Sequence, residues 1–160
     1  MLEIKENDFR SIDSFPLKWR WTDSRWNKFS DSKLNKIQPL SETKAHELFQ
    51  HSKQSYDFET GLAESLFEKI EQINASGEVE EIQRWLSACS SDSSQTVIVS
   101  WDDRLAALIE WKVFCEYWDD FCYPASDDVT IFPFSEEWAL LYSHEEYFIF
   151  GKRRKDNGAT

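Results

Sequence analysis

The 160-residue sequence contains only four glycines, four prolines and three cysteines, and these shortages exclude several classes of protein. Phosphate-binding loops and dinucleotide-binding turns need clustered glycines, and the four glycines here are scattered along the chain. Cys89, Cys115 and Cys122 are odd in number and show no CxxC spacing, which argues against a disulfide framework. We therefore expect reduced, mostly buried thiols and no enzyme built on a glycine-rich loop.

The chain also lacks a long hydrophobic run. No segment approaches the roughly 20 apolar residues of a membrane-spanning helix, and residues 1–6 (MLEIKE) lack the apolar core of a secretion signal. A 41% hydrophobic content and eight tryptophans predict a folded domain rather than disorder. We expect one domain over residues 1–155, a disordered tail over 156–160, no contact with a membrane and a cytoplasmic location.

Positive charge is scarce, since 18 Lys and Arg oppose 30 Asp and Glu for a net charge of −12. This balance opposes binding to the phosphate backbones of nucleic acids. The acidic excess is concentrated in residues 96–150, with twelve acidic and two basic residues, whereas residues 10–53 hold nine basic and five acidic ones. The acidic body predicts a basic protein partner. Alternatively, the basic N-terminal stretch or Lys152–Lys155 neutralises the acidic body within the same molecule.

Hydrophobic periodicity predicts an α+β fold whose N-terminal half is mainly helical. Ser41 is a plausible N-cap for a helix that carries Ala45, Leu48 and Phe49 on one face. A second helix is predicted from about Thr60 to Gly77 on residues spaced by three or four, namely Leu62, Leu66, Ile70 and Ile73. A third is predicted over residues 78–88. In the basic stretch, Trp19 and Trp21 alternate with charged residues and favour a strand instead.

The C-terminal half predicts an antiparallel sheet of about four or five strands. The period changes to two at residues 96–101, and residues 105–111 give a return strand. Residues 129–134, 138–143 and 147–150 predict a meander of three short strands. One aromatic-rich helix, beginning near Arg104 or near Trp111, is predicted to lie on the sheet, with one face made of Trp111, Phe114, Cys115, Trp118, Phe121 and Cys122.

Two acidic pairs, Asp119–Asp120 and Asp127–Asp128, flank Tyr123 and Pro124, so that up to four carboxylates could converge. Oxygen ligands suit Mg²⁺ or Ca²⁺, which makes a small metal-dependent enzyme or a ligand-binding protein the alternative function. However, adjacent helical residues point about 100° apart, and the chain has no glycine-bearing calcium loop. We favour a solvated acidic surface, with no metal and no cofactor.

Catalytic groupings are equally sparse. His144, followed by Glu145 and Glu146, could form an acid–base group, but no nucleophile occurs at a recognisable spacing from it. We expect His144 to be a hairpin residue, and we predict that the protein is not an enzyme and has no catalytic residue.

The aromatic residues between the acidic pairs predict a protein-binding surface instead. Large rings anchor interfaces, and clustered carboxylates attract basic partners. A proline turn separates the two Asp pairs, which places them at one end of the sheet beside the hairpin. The predicted partner-binding residues are Asp119, Asp120, Tyr123, Asp127, Asp128, Trp138, Glu145 and Glu146.

Two stretches, Trp19–Phe49 and Trp111–Arg153, resemble known bacterial sequences and together cover under half of the chain. The first contains Ile37-Gln38-Pro39-Leu40 before the Ser41-capped helix. The second contains the order Trp-x-x-Phe-x-x-x-Trp-x-x-Phe and ends in Phe150-Gly151-Lys152-Arg153. This second stretch, which also has an Asp-Asp turn, resembles the family of small uncharacterised bacterial proteins with the domain of unknown function DUF2947.

The segments Tyr117-Trp118-Asp119-Asp120-Phe121 and Asp127-Asp128-Val129 are also similar to those of small immunity proteins from bacterial polymorphic-toxin and contact-dependent-inhibition loci. This resemblance implies a cytosolic immunity protein that neutralises a cationic, nuclease-type toxin domain by direct binding. It implies no active-site residue.

Overall fold

The computed structural model describes residues 2–26, 28–57 and 61–155, so that the tail predicted at 156–160 lies outside the described residues. The strands are β1 (Gln38–Pro39), β2 (Tyr56–Asp57), β3 (Gly61–Leu62), β4 (Phe67–Asn74), β5 (Thr96–Ser100), β6 (Ala106–Glu110), β7 (Val129–Pro133), β8 (Trp138–Ser143) and β9 (Tyr147–Arg153). Within the described residues, seven of them form one antiparallel sheet in the order β1-β6-β5-β7-β8-β9-β4, and β2 pairs with β3 separately.

The helices are α1 (Trp19–Thr22), α2 (Asp31–Leu34), α3 (Glu42–Ser52), α4 (Val79–Cys89), α5 (Trp111–Glu116) and α6 (Trp118–Phe121). Ser41 caps α3 as predicted, because its hydroxyl accepts a hydrogen bond from the Lys44 N–H at 3.2 Å. The predicted helix over 78–88 is confirmed as α4. The aromatic-rich helix begins at Trp111 rather than near Arg104, and Tyr117 divides it into α5 and α6.

Both faces of the sheet are covered. The alternate residues Val97, Val99 and Leu140 pack with α4, α5 and α6 in the largest core cluster. On the opposite face, Ile98 and Leu108 pack against α3, and the β2–β3 hairpin covers the part nearer to β4 and β9. All six residues of β8 are buried because layers lie on both sides of it. The α+β class and the C-terminal meander are therefore confirmed.

The predicted helix from Thr60 to Gly77 is wrong over its described residues, which form β3 and β4. Strand β4, together with β1, raises the sheet from the predicted four or five strands to seven, and β3 and β4 remove the mainly helical character of the N-terminal half. In β4, a register shift between Glu68 and Glu71 interrupts the pairing with β9, and Lys69 has φ of 53°. Such a bulge inserts an extra residue, so that the apolar side chains lose the period of two.

Candidate functional site

The first element of the site is the short helix α1, where a strand was predicted from the alternation of Trp19 and Trp21. Residues two apart in a helix lie on nearly opposite sides of it. Trp21 accordingly lies in the core at 0% exposure and donates its Nε1–H to the Asp120 carbonyl at 3.1 Å. Trp19 points outward and is 39% exposed. The alternation therefore reflects one inward and one outward tryptophan on a single turn of helix.

Three rings meet on the outer side of this helix and are called here the aromatic cluster: Trp19, Trp26 and Tyr123. Their centroids lie 5.7 Å apart for Trp19–Trp26, 5.7 Å for Trp19–Tyr123 and 6.1 Å for Trp26–Tyr123. Trp26 is 50% exposed, the largest exposure among the large hydrophobic residues that the structure describes as exposed. Mutually packed and accessible tryptophans are typical of residues that anchor a protein partner.

A buried ion pair lies beneath the cluster. Arg20 is 5% exposed and binds Asp127 through two contacts, Nη1–Oδ2 at 2.7 Å and Nη2–Oδ1 at 3.1 Å. Its guanidinium also lies 4.0 Å from the Tyr123 ring centroid and 5.6 Å from that of Trp19. Asp127 in turn accepts the Tyr123 backbone N–H at 2.9 Å. The pair thus connects α1 to the loop after α6 and fixes the positions of two cluster rings.

The sequence left open whether the acidic residues face a basic partner or are neutralised within the same molecule. For Asp127, the ion pair shows neutralisation within the molecule. Asp127 was predicted to meet a basic partner, but the basic N-terminal stretch supplies its counter-charge within the molecule. A bidentate Arg–carboxylate contact satisfies both oxygens and leaves no free charge for a partner. Asp127 therefore organises the site, and its charge is paired within the molecule.

Two other predicted contact residues lie inside the protein. Trp138 is 5% exposed, and its ring packs against Trp111 at 4.8 Å and Phe150 at 5.6 Å between centroids. Asp120 is 7% exposed. Neither residue offers side-chain surface to a partner. The number of aromatic residues in a sequence does not separate core rings from surface rings. The sequence therefore predicted the core residue Trp138 as a contact residue and did not point to the exposed Trp19 and Trp26.

Asp119 remains on the surface beside the aromatic cluster. Desolvation raises the pKa of its carboxyl, and the nearby Glu80 charge raises this pKa further. Burial likewise raises the pKa of the Tyr123 phenol; Arg20 lowers that pKa, and the charges of Asp120, Asp127 and Asp119 raise it again. Asp119 therefore places a carboxylate on the surface near Tyr123.

The last predicted residues lie at the β8–β9 hairpin. The Asp128 Oδ1 atom accepts the His144 backbone N–H at 2.9 Å and lies 2.9 Å from His144 Nδ1. This hydrogen bond to Asp128 raises the pKa of the exposed His144 imidazole. Glu145 is exposed and Glu146 half-buried. The hairpin is joined to the loop after α6, since Ala125 N–H donates to the His144 carbonyl at 3.1 Å.

The described residues contain no group of three His, Cys, Asp or Glu side chains placed to hold a metal ion. The three cysteines are free, and burial raises the pKa of Cys89 and of Cys115 to about 12. Such thiols stay protonated and unreactive at neutral pH. Across the described part of the chain, no helix has the length and apolar character needed to span a membrane.

No protein-family model, no curated protein and no solved structure matches the chain.

Proposed function

We propose that this chain is a cytoplasmic immunity protein, and that it neutralises a cationic, nuclease-type toxin domain by binding it directly through the aromatic cluster. The observation that carries the proposal is the cluster itself: Trp19 and Trp26 are 39% and 50% exposed although they contact each other and Tyr123. Exposed tryptophans held in one patch supply most of the binding energy in many interfaces.

The buried Arg20–Asp127 pair supports the same proposal. It holds Tyr123 from below through the guanidinium and from the side through its backbone N–H. A cluster whose rings are already ordered loses less conformational entropy when a partner covers it. The pair therefore favours a preformed binding surface over a surface that is assembled on contact.

The net charge of −12 supports a basic partner. Around the aromatic cluster, the proposed contact residues are Asp119 and, at the hairpin, Asp128, Glu145 and Glu146. Peripheral charges of this kind accelerate association more than they tighten the final complex. Nuclease domains bind polyanions and carry basic surfaces, so that an acidic partner associates rapidly with them.

The alternative function, a small metal-dependent enzyme, receives less support. Its four carboxylates would be Asp119, Asp120, Asp127 and Asp128. A metal ion would have to displace Arg20 from Asp127 and compete with His144 for Asp128. We therefore keep direct protein binding, without catalysis or a cofactor, as the proposed function.

The test uses the basic C-terminal domain of a toxin encoded next to this chain in its native genome. Co-expression with the wild-type chain should restore growth of cells that produce this domain. Trp19→Ala and Trp26→Ala should each raise the dissociation constant by roughly 30-fold, measured by calorimetry, because hot-spot residues contribute at least about 2 kcal/mol.

Phe9→Ala is the matched control, because Phe9 is 37% exposed but lies outside the aromatic cluster. It should bind as the wild type does. The proposal fails if the wild-type chain neither binds nor protects against the domain. It also fails if Phe9→Ala weakens binding as much as the tryptophan variants do.

A further inference from the structure

A groove rich in lysine and arginine lies on the helix-covered side of the sheet, where β4 and β9 pair and α4 ends. It has a volume of about 560 Å³, and its walls include Lys69, Lys152, Arg154 and Lys155, together with Ser90 and Ser91. It is here called the basic groove. Small-molecule sites usually enclose about 300–1,000 Å³, so that the groove has the size of a ligand site.

The sheet register brings the cations together. Lys152 on β9 lies opposite Glu68 on β4 and opposite Trp138 on β8. Residues opposite one another in a sheet share a face, and this face is the one that α4 covers. Lys69 projects from the bulge next to Glu68. Two lysines from different strands therefore line the same groove.

The charges in the basic groove do not cancel. Glu68 pairs with Arg154 at 3.7 Å and Glu136 pairs with His51 at 2.6 Å. Lys69, Lys152 and Lys155 form no ion pair with any residue that the structure describes, and Glu136 and Glu137 are the groove carboxylates without a lysine or arginine partner among those residues. Together with Arg153, which also lines the groove, these lysines give four cationic side chains against two carboxylates, an excess that is unexpected on a chain with a net charge of −12.

The end of α4 explains only part of this excess. A helix C-terminus carries a partial negative charge of about half an electron and attracts cations. That partial charge offsets less than the full positive charge of one lysine. The serine next to the helix end adds a donor, because Ser90 Oγ accepts from Gln95 Nε2 at 2.7 Å and its own proton remains available. Ammonium and hydroxyl donors together suit an anion with several oxygens.

A smaller depression of about 190 Å³ adjoins the groove and shares Lys69, Cys89 and Lys152 with it. It is lined by the half-buried Trp85 and by Ala88 and Phe150, with Glu71 among the remaining lining residues. Aromatic walls beside cationic donors fit a ligand that has an anionic end and a ring.

We propose that the basic groove binds the phosphate group of a small organic phosphate, and that the Trp85 depression holds the ring of the same ligand. Lys69, Lys152 and Lys155 neutralise the phosphate charge, and the Ser90 hydroxyl donates a hydrogen bond to it. This site is independent of the aromatic cluster and does not rest on the proposed toxin binding.

The test uses adenosine monophosphate, inorganic phosphate and adenosine as probes in isothermal titration calorimetry with the full chain at low salt. Adenosine monophosphate should bind, and the other two probes should bind at least about tenfold more weakly, because each lacks one half of the ligand. Lys152→Ala and Lys69→Ala should each weaken binding of the nucleotide by about tenfold, the usual loss for a charge-assisted hydrogen bond.

Lys36→Ala is the control, because it makes the same change in net charge at an exposed lysine outside the groove. It should leave the affinity unchanged. The proposal is overturned if adenosine monophosphate does not bind at millimolar concentration, or if Lys36→Ala weakens binding as much as Lys152→Ala. Equal binding of adenosine and the nucleotide would overturn the phosphate site, and equal binding of inorganic phosphate would overturn the ring site.

Discussion

Asp127 and Asp128 are adjacent and chemically identical, yet the structure gives them opposite surroundings. Asp127 is 10% exposed at its side chain and pairs with Arg20, whose side chain is 6% exposed. Asp128 is 37% exposed and pairs with His144, which is 51% exposed. Burial removes water from both members of the first pair, so that each charge depends on the other, whereas water screens the second pair. The comparison teaches that an acidic run in a sequence does not describe a uniform surface.

Breaking the buried pair should have the largest effect. Asp127→Asn should lower the free energy of unfolding by about 3–5 kcal/mol, because it leaves the Arg20 charge buried without a counter-charge. Urea denaturation at neutral pH, followed by tryptophan fluorescence, measures this loss.

A control variant replaces both partners, Arg20→Met with Asp127→Leu. It should recover much of the stability, since the buried charge is removed along with its partner. A loss of under about 1 kcal/mol in Asp127→Asn would mean that the pair behaves like an exposed one.

Removing the Tyr123 ring, which covers the buried pair, should have an intermediate effect on the free energy of unfolding. Tyr123→Ala should lower the unfolding free energy by about 1–2 kcal/mol, because it removes the cation–π contact with Arg20 and opens the pair to water. Tyr123→Phe keeps the ring and should stay close to the wild type. If the two variants were equally unstable, the contribution would come from the hydroxyl group and not from the ring.

Breaking the exposed Asp128–His144 pair should have the smallest effect on stability, and this effect should depend on pH. Asp128 raises the folded-state pKa of His144 above its ordinary value of 6.5. The resulting stability is present in full below the unfolded-state pKa and is lost as the pH rises through the raised folded-state pKa. Asp128→Asn should therefore cost stability at about pH 5.5 and very little at about pH 8.

The matched measurement is a titration of the His144 ring protons by NMR. In Asp128→Asn, the pKa of His144 should fall toward its ordinary value, while the backbone contact to residue 128 is kept by the amide oxygen. An unchanged pKa of His144 would contradict the assignment of the shift to Asp128.

Much of the C-terminal sheet could be predicted from the sequence because its signals are local. Thr96–Ser100 and Ala106–Glu110 are short runs of buried apolar residues bounded by turns, and the three later strands alternate with acidic turns. Each of these strands also pairs with a strand close to it along the chain. Local pattern and tertiary pairing therefore agree.

The strand β4 could not be predicted in the same way. Its partner β9 lies more than 70 residues later in the sequence. The bulge in β4 also allows Ile70 and Ile73, whose spacing of three is typical of a helix, to lie in one strand. Pairing with a distant strand decided its conformation against the local pattern.

The candidate site also combines residues that have a local signal in the sequence with residues that are placed by distant contacts. Tyr123 and Asp119 were predicted because they lie in one short acidic segment. The Arg20–Asp127 contact joins residues 107 positions apart, and no spacing in the sequence reveals it. Trp26, by contrast, has a usable signal, because it is the single apolar residue among the polar residues 22–28.

The place of β4 at the sheet edge also has a consequence for synthesis of the chain on the ribosome. Residues 67–74 emerge long before their partner residues 147–153, which pair with β8 on their other side. During that interval, β4 lacks its hydrogen-bond partners on β9, and Phe67 lacks its neighbours Ala139 and Leu141. A strand that lacks its partner strand in this way can pair with other nascent chains. The bulge at Lys69, where φ is 53°, and the charges of Glu68 and Glu71 are features that oppose such pairing at a sheet edge.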